Sequence, residues 1–338
     1  MKTLTLLFAL LAAQFAGAQS KYTTFGLGPN AGQPPYTVTS INDSGQVLGY
    51  LVSNGEAFVI SPGDVWTKNI IKTNGSIAMN NAATIAGDEG HNGGPFYKVW
   101  EQAAQPFAGC GSGNQTLVIA INTAGLMAGN CPINIQRNQY GVFLGNPFKG
   151  TFVAIPFPHD KWPNERYDSH VESLNNLNQI VRNWANDSTA TSGFFYDGTS
   201  KKLNTTFNMP GAVTTYPVSI NDNQEVVGNW YNQYGVMHGF YWNPTAGFSD
   251  IDVAGDTSMY LTAINNQSVI LGEWQNTNSQ RLWHCVTIVN GQPTASINVA
   301  HSLAGSTAGF AINNAGQVVG EYETPEGVVR GFIYTPPK

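Results

Sequence analysis

Apolar residues along this 338-residue chain come in short alternating runs, broken by Gly, Asn, Pro and Ser. That is the period-two signature of half-buried strands. Beyond the first twenty residues no long stretch keeps the 3.6-residue spacing of a helix face. One phrase returns seven times: INDSGQVLG (41–49), MNNAATIAG (79–87), INTAGLMAG (121–129), LNNLNQIVR (174–182), INDNQEVVG (220–228), INNQSVILG (264–272) and INNAGQVVG (312–320). Its asparagines are Asn42, Asn80, Asn122, Asn175, Asn221, Asn265 and Asn313, spaced by 38, 42, 53, 46, 44 and 48 residues.

Each copy has the same logic. A small Ser or Ala precedes a large apolar residue and then the Asn, as in Ser40-Ile41-Asn42 and Ala263-Ile264-Asn265. The small residue lets inner strands converge on an axis, and the Asn opens a tight turn by bonding nearby backbone. An aliphatic run follows, ending in Gly in six of the seven copies. Then come a polar loop, an aromatic strand such as HGFYW (238–242) or RGFIY (330–334), and a short fourth strand such as FSDIDV (248–253). A period near 45 residues suits a four-stranded blade, and seven copies predict an all-β, seven-bladed β-propeller. The last unit holds only three strands, whereas YTTFGL (about 22–27) precedes the first unit unpaired. The N-terminal strand is therefore expected to complete the last blade and remove two open sheet edges.

The recurring INxxGxVVG phrase, followed by an aromatic element, resembles the extracellular HAF repeats of exported bacterial proteins. The second element stands here as Glu56-Ala57-Phe58, His238-Gly239-Phe240 and Arg330-Gly331-Phe332. The likeness runs from about residue 36 to 334. It implies export and a repeat architecture, and it assigns no reaction.

Composition agrees with tightly packed sheets. Only 11% of residues are charged and the formal net charge is -6, too few Lys and Arg to neutralise a phosphate backbone, which argues against nucleic-acid binding. Lys2, the apolar run from Leu4 to Ala13 and Ala16-Gly17-Ala18 read as a Sec-type signal peptide over residues 1–18, leaving a single domain over 19–338. The expected location is secreted, periplasmic or extracellular. No later apolar run reaches membrane-spanning length, and a monomer is expected. Cys110 and Cys131 are read as a disulfide pair on one rim, Cys285 as a buried thiol. No metal site, cofactor motif, nucleophile elbow or P-loop is present, so no cofactor is expected.

Candidate chemistry gathers in three places. The longest insertion, FPHDKWPNERYDSH (157–170), holds five charges together with His159, Trp162, Arg166, Asp168 and His170. In the same blade Arg182 replaces the motif glycine and Glu172 enters the inner strand, giving either a structural ion pair or a weak catalytic cluster of Glu172, Arg182, His170 and Asp168. After the motif glycine position, successive blades carry Asp88, Glu273 or Glu321, and an aromatic next to it in Trp184, Trp230, Trp274 and Tyr322. Flat rings beside amides and carboxylates suit sugar recognition, with inter-blade packing as the competing role. The expected function is a carbohydrate-recognising secreted binding or surface protein without catalysis. The alternative is a polysaccharide-acting enzyme, hydrolase or lyase, with its site on the axial face near 157–170. A purely structural envelope protein is the third reading.

Overall fold

The computed structural model describes residues 21–26, 36–63, 65–67, 71–73, 75–89, 94–99, 102–107, 116–134, 139–155, 167–186, 189–204, 206–252, 256–276 and 282–337. They form seven four-stranded antiparallel sheets, and no α-helix occurs among them. Six sheets are continuous in sequence. The seventh joins Ala308–Ile312, Val318–Glu323 and Val329–Thr335 to the N-terminal strand Lys21–Phe25, which pairs from Lys21 opposite Thr335 to Phe25 opposite Gly331. The ring is closed as the repeat count requires. Tyr36, the first residue of the next blade, clamps the closure: its hydroxyl donates to the Phe25 carbonyl (2.8 Å) and accepts from the Gly331 N–H.

The core lies between blades rather than within them. Seven buried clusters each join two neighbouring sheets, such as Val227 and Ile251 with Met259, Leu261, Ile264 and Ile288. Both faces of most strands are thus covered, which leaves little place for charge.

The motif glycine exists for the aromatic of the third strand. Gly49, Gly87, Gly129, Gly228 and Gly320 pair directly with Phe58, Phe96, Phe143, Phe240 and Phe332, all five of them buried. A Cβ on Gly228 would lie 2.1 Å from the Tyr216 carbonyl oxygen and 2.6 Å from the Phe240 ring, so nothing larger fits. The fourth blade breaks the rule openly: Arg182 pairs with Phe194, its guanidinium carbon 4.5 Å from the ring centroid.

The motif asparagine does two jobs at once. In Asn265 the side-chain oxygen accepts from Gln267 N–H (3.0 Å) and Val269 N–H (2.9 Å), which fixes the turn. Its amide nitrogen donates to the Asn313 carbonyl of the next blade (2.9 Å). Six of the seven junctions carry this second bond, from Asn80 to Asn122, Asn175, Asn221, Asn265, Asn313 and Asn42. A second ring surrounds it, built from the following residue of each turn. Asp43, Thr123, Asn176, Asp222, Asn266 and Asn314 each donate a backbone N–H to the next blade's Asn or Asp side chain at 2.7–2.9 Å. At the remaining junction the residue following Asn81 in the ring is Thr123, which carries no side-chain amide or carboxylate. Asp43 and Asp222 each take two further Asn amides on Oδ2.

Candidate functional site

The asparagine turns ring one end of the axis around a cavity of about 190 Å³. At the other end the inner strands of blades four to seven open into two adjoining cavities. The first, about 240 Å³, is lined by residues including Glu172, Asn183, Tyr216, Tyr231 and Tyr260. The second, about 360 Å³, is lined by Val218, Tyr260, Thr262, Glu273, Ala308 and Phe310. Val218 and Tyr260 belong to both, so the two form one cleft. Tyr260 and Phe310 are 41% and 37% exposed, whereas most of the described aromatics pack between sheets.

A local irregularity in the strands builds this cleft. In six inner strands the register slips at the residue after the one facing the motif glycine, for example between Leu261 and Ala263. At the neighbouring residue, four blades receive a side chain from the preceding blade. Glu321 Oε1 accepts Val38 N–H (3.1 Å), Asn130 Oδ1 accepts Val171 N–H (3.0 Å), Asn229 Oδ1 accepts Leu261 N–H (2.7 Å) and Glu273 Oε1 accepts Gly309 N–H (3.2 Å). The residue after the motif glycine is thus a fastener between blades. In blade five the matching residue is Pro217, opposite Gly228, and proline has no N–H to give. Asn183, released from that duty, instead donates to Glu172 Oε1 (3.3 Å) inside the cleft.

The electrostatics follow from these placements. Burial raises the Tyr260 phenol, and the negative charges of Glu172 and Glu273 push it the same way, so both carboxylates bear on one hydroxyl. Burial also raises the Glu273 and Glu321 carboxyls, against the lowering effect of their backbone partners.

The sequence-derived candidates separate. Glu172 and Glu273 come together around Tyr260. Glu321 fastens blade seven to blade one, and Asp88 is completely buried. Arg182 is fully buried over Phe194, and burial pulls its guanidinium down to about 9, whereas Glu172 is exposed. Trp184 and Tyr322 are each 7% exposed and belong to inter-blade cores, so neither offers a ring face to a ligand. Trp230 and Trp274 are half-buried, each with one face stacked on a histidine, His238 (4.7 Å) and His284 (4.6 Å). Cys131 is disulfide-bonded and Cys285 is a free, buried thiol. Cys110, His159, Trp162 and Arg166 lie outside the described residues. Asp168 and His170 sit in the strand Tyr167–Leu174, opposite Ala185 and Asn183, with their side chains outside the description. Sequence reasoning missed Tyr216, Tyr231, Tyr260 and Phe310. Pro217, set opposite a motif glycine, was the one signal that could have pointed there.

Among the described residues one group has the composition to hold a metal ion: His238, Asp250 and Asp252, whose ligand atoms lie within 4.8 Å of one another. The hydrogen bonds oppose it. Asn232 Oδ1 is held by Tyr234 N–H (2.8 Å) and Val236 N–H (3.1 Å), which turns its amide nitrogen toward His238 Nε2 (2.9 Å). Nε2 must then accept, so the ring proton sits on Nδ1 and donates to Asp252 Oδ2 (2.9 Å), where a cation would have to bind. Asp250 takes the Trp230 indole N–H (2.9 Å).

No family model matches the sequence, and no curated protein is similar to it. Solved structures are similar in fold, and they place the chain among β-propellers. A catalytically inactive virginiamycin B lyase from Staphylococcus aureus, bound to quinupristin, aligns with a TM-score of 0.59 at 9% identity over 94% of this chain and 100% of its own. A streptogramin B lyase aligns with 0.59 at 12% identity, over 94% and 98%. The propeller domain of the trilobed protease from Pyrococcus furiosus, described as having an open velcro topology, gives 0.53 at 12% identity, over 78% and 84%. The ring of this chain differs from that last one in being closed by its N-terminal strand. Identities this low show a shared architecture only.

Proposed function

We propose that this chain is a secreted glycan-binding protein whose recognition site is the axial cleft of blades four to seven. The observation that carries this reading is the pair of exposed rings, Tyr260 and Phe310, set among Asn183, Thr262, Glu172 and Glu273. Sugar rings have apolar faces that lie on aromatic surfaces and hydroxyls that amides and carboxylates bond. The rim tryptophans of the sequence expectation are replaced in this role by inner-strand tyrosines. A glycan array tests it: Tyr260→Ala should abolish binding while the circular dichroism and melting temperature stay those of the native protein. Equal binding by this variant refutes the site.

A polysaccharide-acting enzyme is the second reading, favoured by one observation. Glu273 has its carboxyl raised by burial, as a general acid requires, and Glu172 lies on the same tyrosine. New reducing ends or unsaturated uronates released from a polysaccharide, and lost in Glu273→Gln, would establish it.

A further inference from the structure

The smaller of the two cavities reaches the end of a hairpin in blade five. Tyr231 and Met237, which both line it, end the second and third strands of that blade and pair with each other. The turn that joins them, residues 232–236, therefore projects from the mouth of the cleft. Tyr234 stands on this turn and is 81% exposed, the most of any large apolar side chain among the described residues. Val213, 51% exposed, is tied to the same strand end by donating its N–H to the Tyr231 carbonyl (2.8 Å).

The turn itself does not call for a ring. In blade seven Thr324 makes the same three bonds: its carbonyl accepts Gly327 N–H (2.9 Å), its N–H donates to the Val328 carbonyl (2.9 Å), and its hydroxyl accepts Val328 N–H (3.3 Å). Asn232 repeats them with Gly235 and Val236 at 3.0, 3.1 and 3.1 Å. The residue of blade seven that matches Tyr234 is an exposed glutamate, Glu326. The turn in blade five carries further braces. Asn232 Oδ1 accepts Tyr234 N–H (2.8 Å), and the Asn232 amide reaches His238 Nε2 (2.9 Å), whose ring stacks on Trp230 (4.7 Å). A flat ring open to solvent, on a backbone already fixed, loses little further freedom when a ligand covers it.

We propose that Tyr234 is the outer platform of the glycan site: the chain held in the axial cleft continues over Tyr231 to the rim of blade five, where a sugar ring stacks on Tyr234. This rests on the glycan-binding reading and extends it from a single pocket to a run of subsites. The preferred ligand is then an oligosaccharide longer than the cleft alone can cover. The His238, Asn232 and Trp230 cluster acquires a role as the support of that platform.

The test uses cello-, malto-, xylo- and N-acetylchito-oligosaccharides of two and six units, measured by titration calorimetry. In the series that the native chain binds, the six-unit member should bind more tightly than the two-unit member. Tyr234→Ala should shrink that gain about three- to tenfold, the worth of one stacked ring, and Tyr234→Phe should retain it. The ring is 81% exposed, so both variants should melt at the native temperature. A native-sized gain in Tyr234→Ala, as a protein partner at this rim would leave, overturns the outer platform while the axial reading stands. A native chain that binds two and six units equally overturns it too, and so does a loss in Tyr234→Phe as large as in Tyr234→Ala. Failure of the native chain to bind any of the series overturns the glycan reading together with its extension.

Discussion

Replacing Asn265 by Asp removes one atom's worth of chemistry from the axial girdle. The carboxylate can still accept from Gln267 and Val269, but it can no longer donate to the Asn313 carbonyl, 2.9 Å away. Asn265 is 4% exposed, so water cannot repair the loss. A lost bond costs about 0.5–1.5 kcal/mol, and the stranded buried carbonyl adds about 1–3, so Asn265→Asp should destabilise by about 2–4 kcal/mol at pH 7. With a urea m-value near 3 kcal/mol/M, the unfolding midpoint should fall by about 1 M. The new carboxyl faces a carbonyl oxygen, which raises its folded pKa above the unfolded one. Protonation gives it back a donor, so the deficit relative to native should shrink as pH falls from 7 through that raised pKa. Asn42→Asp is the internal control. Its amide donates to Gln46 Oε1 (2.9 Å), and a glutamine can turn its amide around to donate in return. That variant should lose less than about 1 kcal/mol. Equal losses at the two positions, or a loss at Asn265 that ignores pH, would refute the account of the girdle.

Three further outcomes follow from the same contacts. Tyr36→Phe removes the hydroxyl that bonds the Phe25 carbonyl and the Gly331 N–H at the closure, and should cost about 1–3 kcal/mol by urea denaturation. Hydrogen exchange in Lys21–Phe25 should speed up first, since that strand is held by one neighbour. Gly228→Ala forces a methyl against the Tyr216 carbonyl and the Phe240 ring, and should destabilise by more than the ~1 kcal/mol that Gly-to-Ala changes elsewhere gain, as thermal melting will show. Burial lifts the Asp252 carboxyl to about 6, helped by Asp250 and opposed by His238. A raised folded pKa means its contribution to stability is full below the unfolded value near 4 and is lost as pH rises through about 6. Carboxyl carbon NMR should show that midpoint, and Asp252→Asn should flatten the stability profile over the same window.

Sequence alone revealed the ring because the repeat states its own geometry. The spacing of the asparagines counts blades, the Ser or Ala before each marks the inner strand, and the unpaired YTTFGL segment pairs with the last blade within one or two residues of the expected place. The cleft was hidden for two reasons. The bulge between Leu261 and Ala263 interrupts the period-two alternation, so counting along the strand does not say which way Tyr260 faces. The polar residue after the motif glycine looks like an exposed ligand group in sequence. In three dimensions a neighbouring strand arrives with an N–H, and Glu321, Asn130 and Asn229 are consumed by it. Trp184 and Tyr322 vanish into packing for a related reason: adjacent blades face each other across both surfaces of a sheet, and a large ring fills that gap.

Pro217 gives the ring a division of labour between its copies. A fastener at that junction is missing, and the chain tolerates this because neighbouring blades are still joined by cores such as the one holding Val181, Ile220, Val226 and Phe240. That junction can therefore be loosened without opening the circle, and the polar groups it sets free become raw material for recognition. New specificities in such a molecule can arise by editing single junctions, one proline at a time, while the remaining copies keep the scaffold intact.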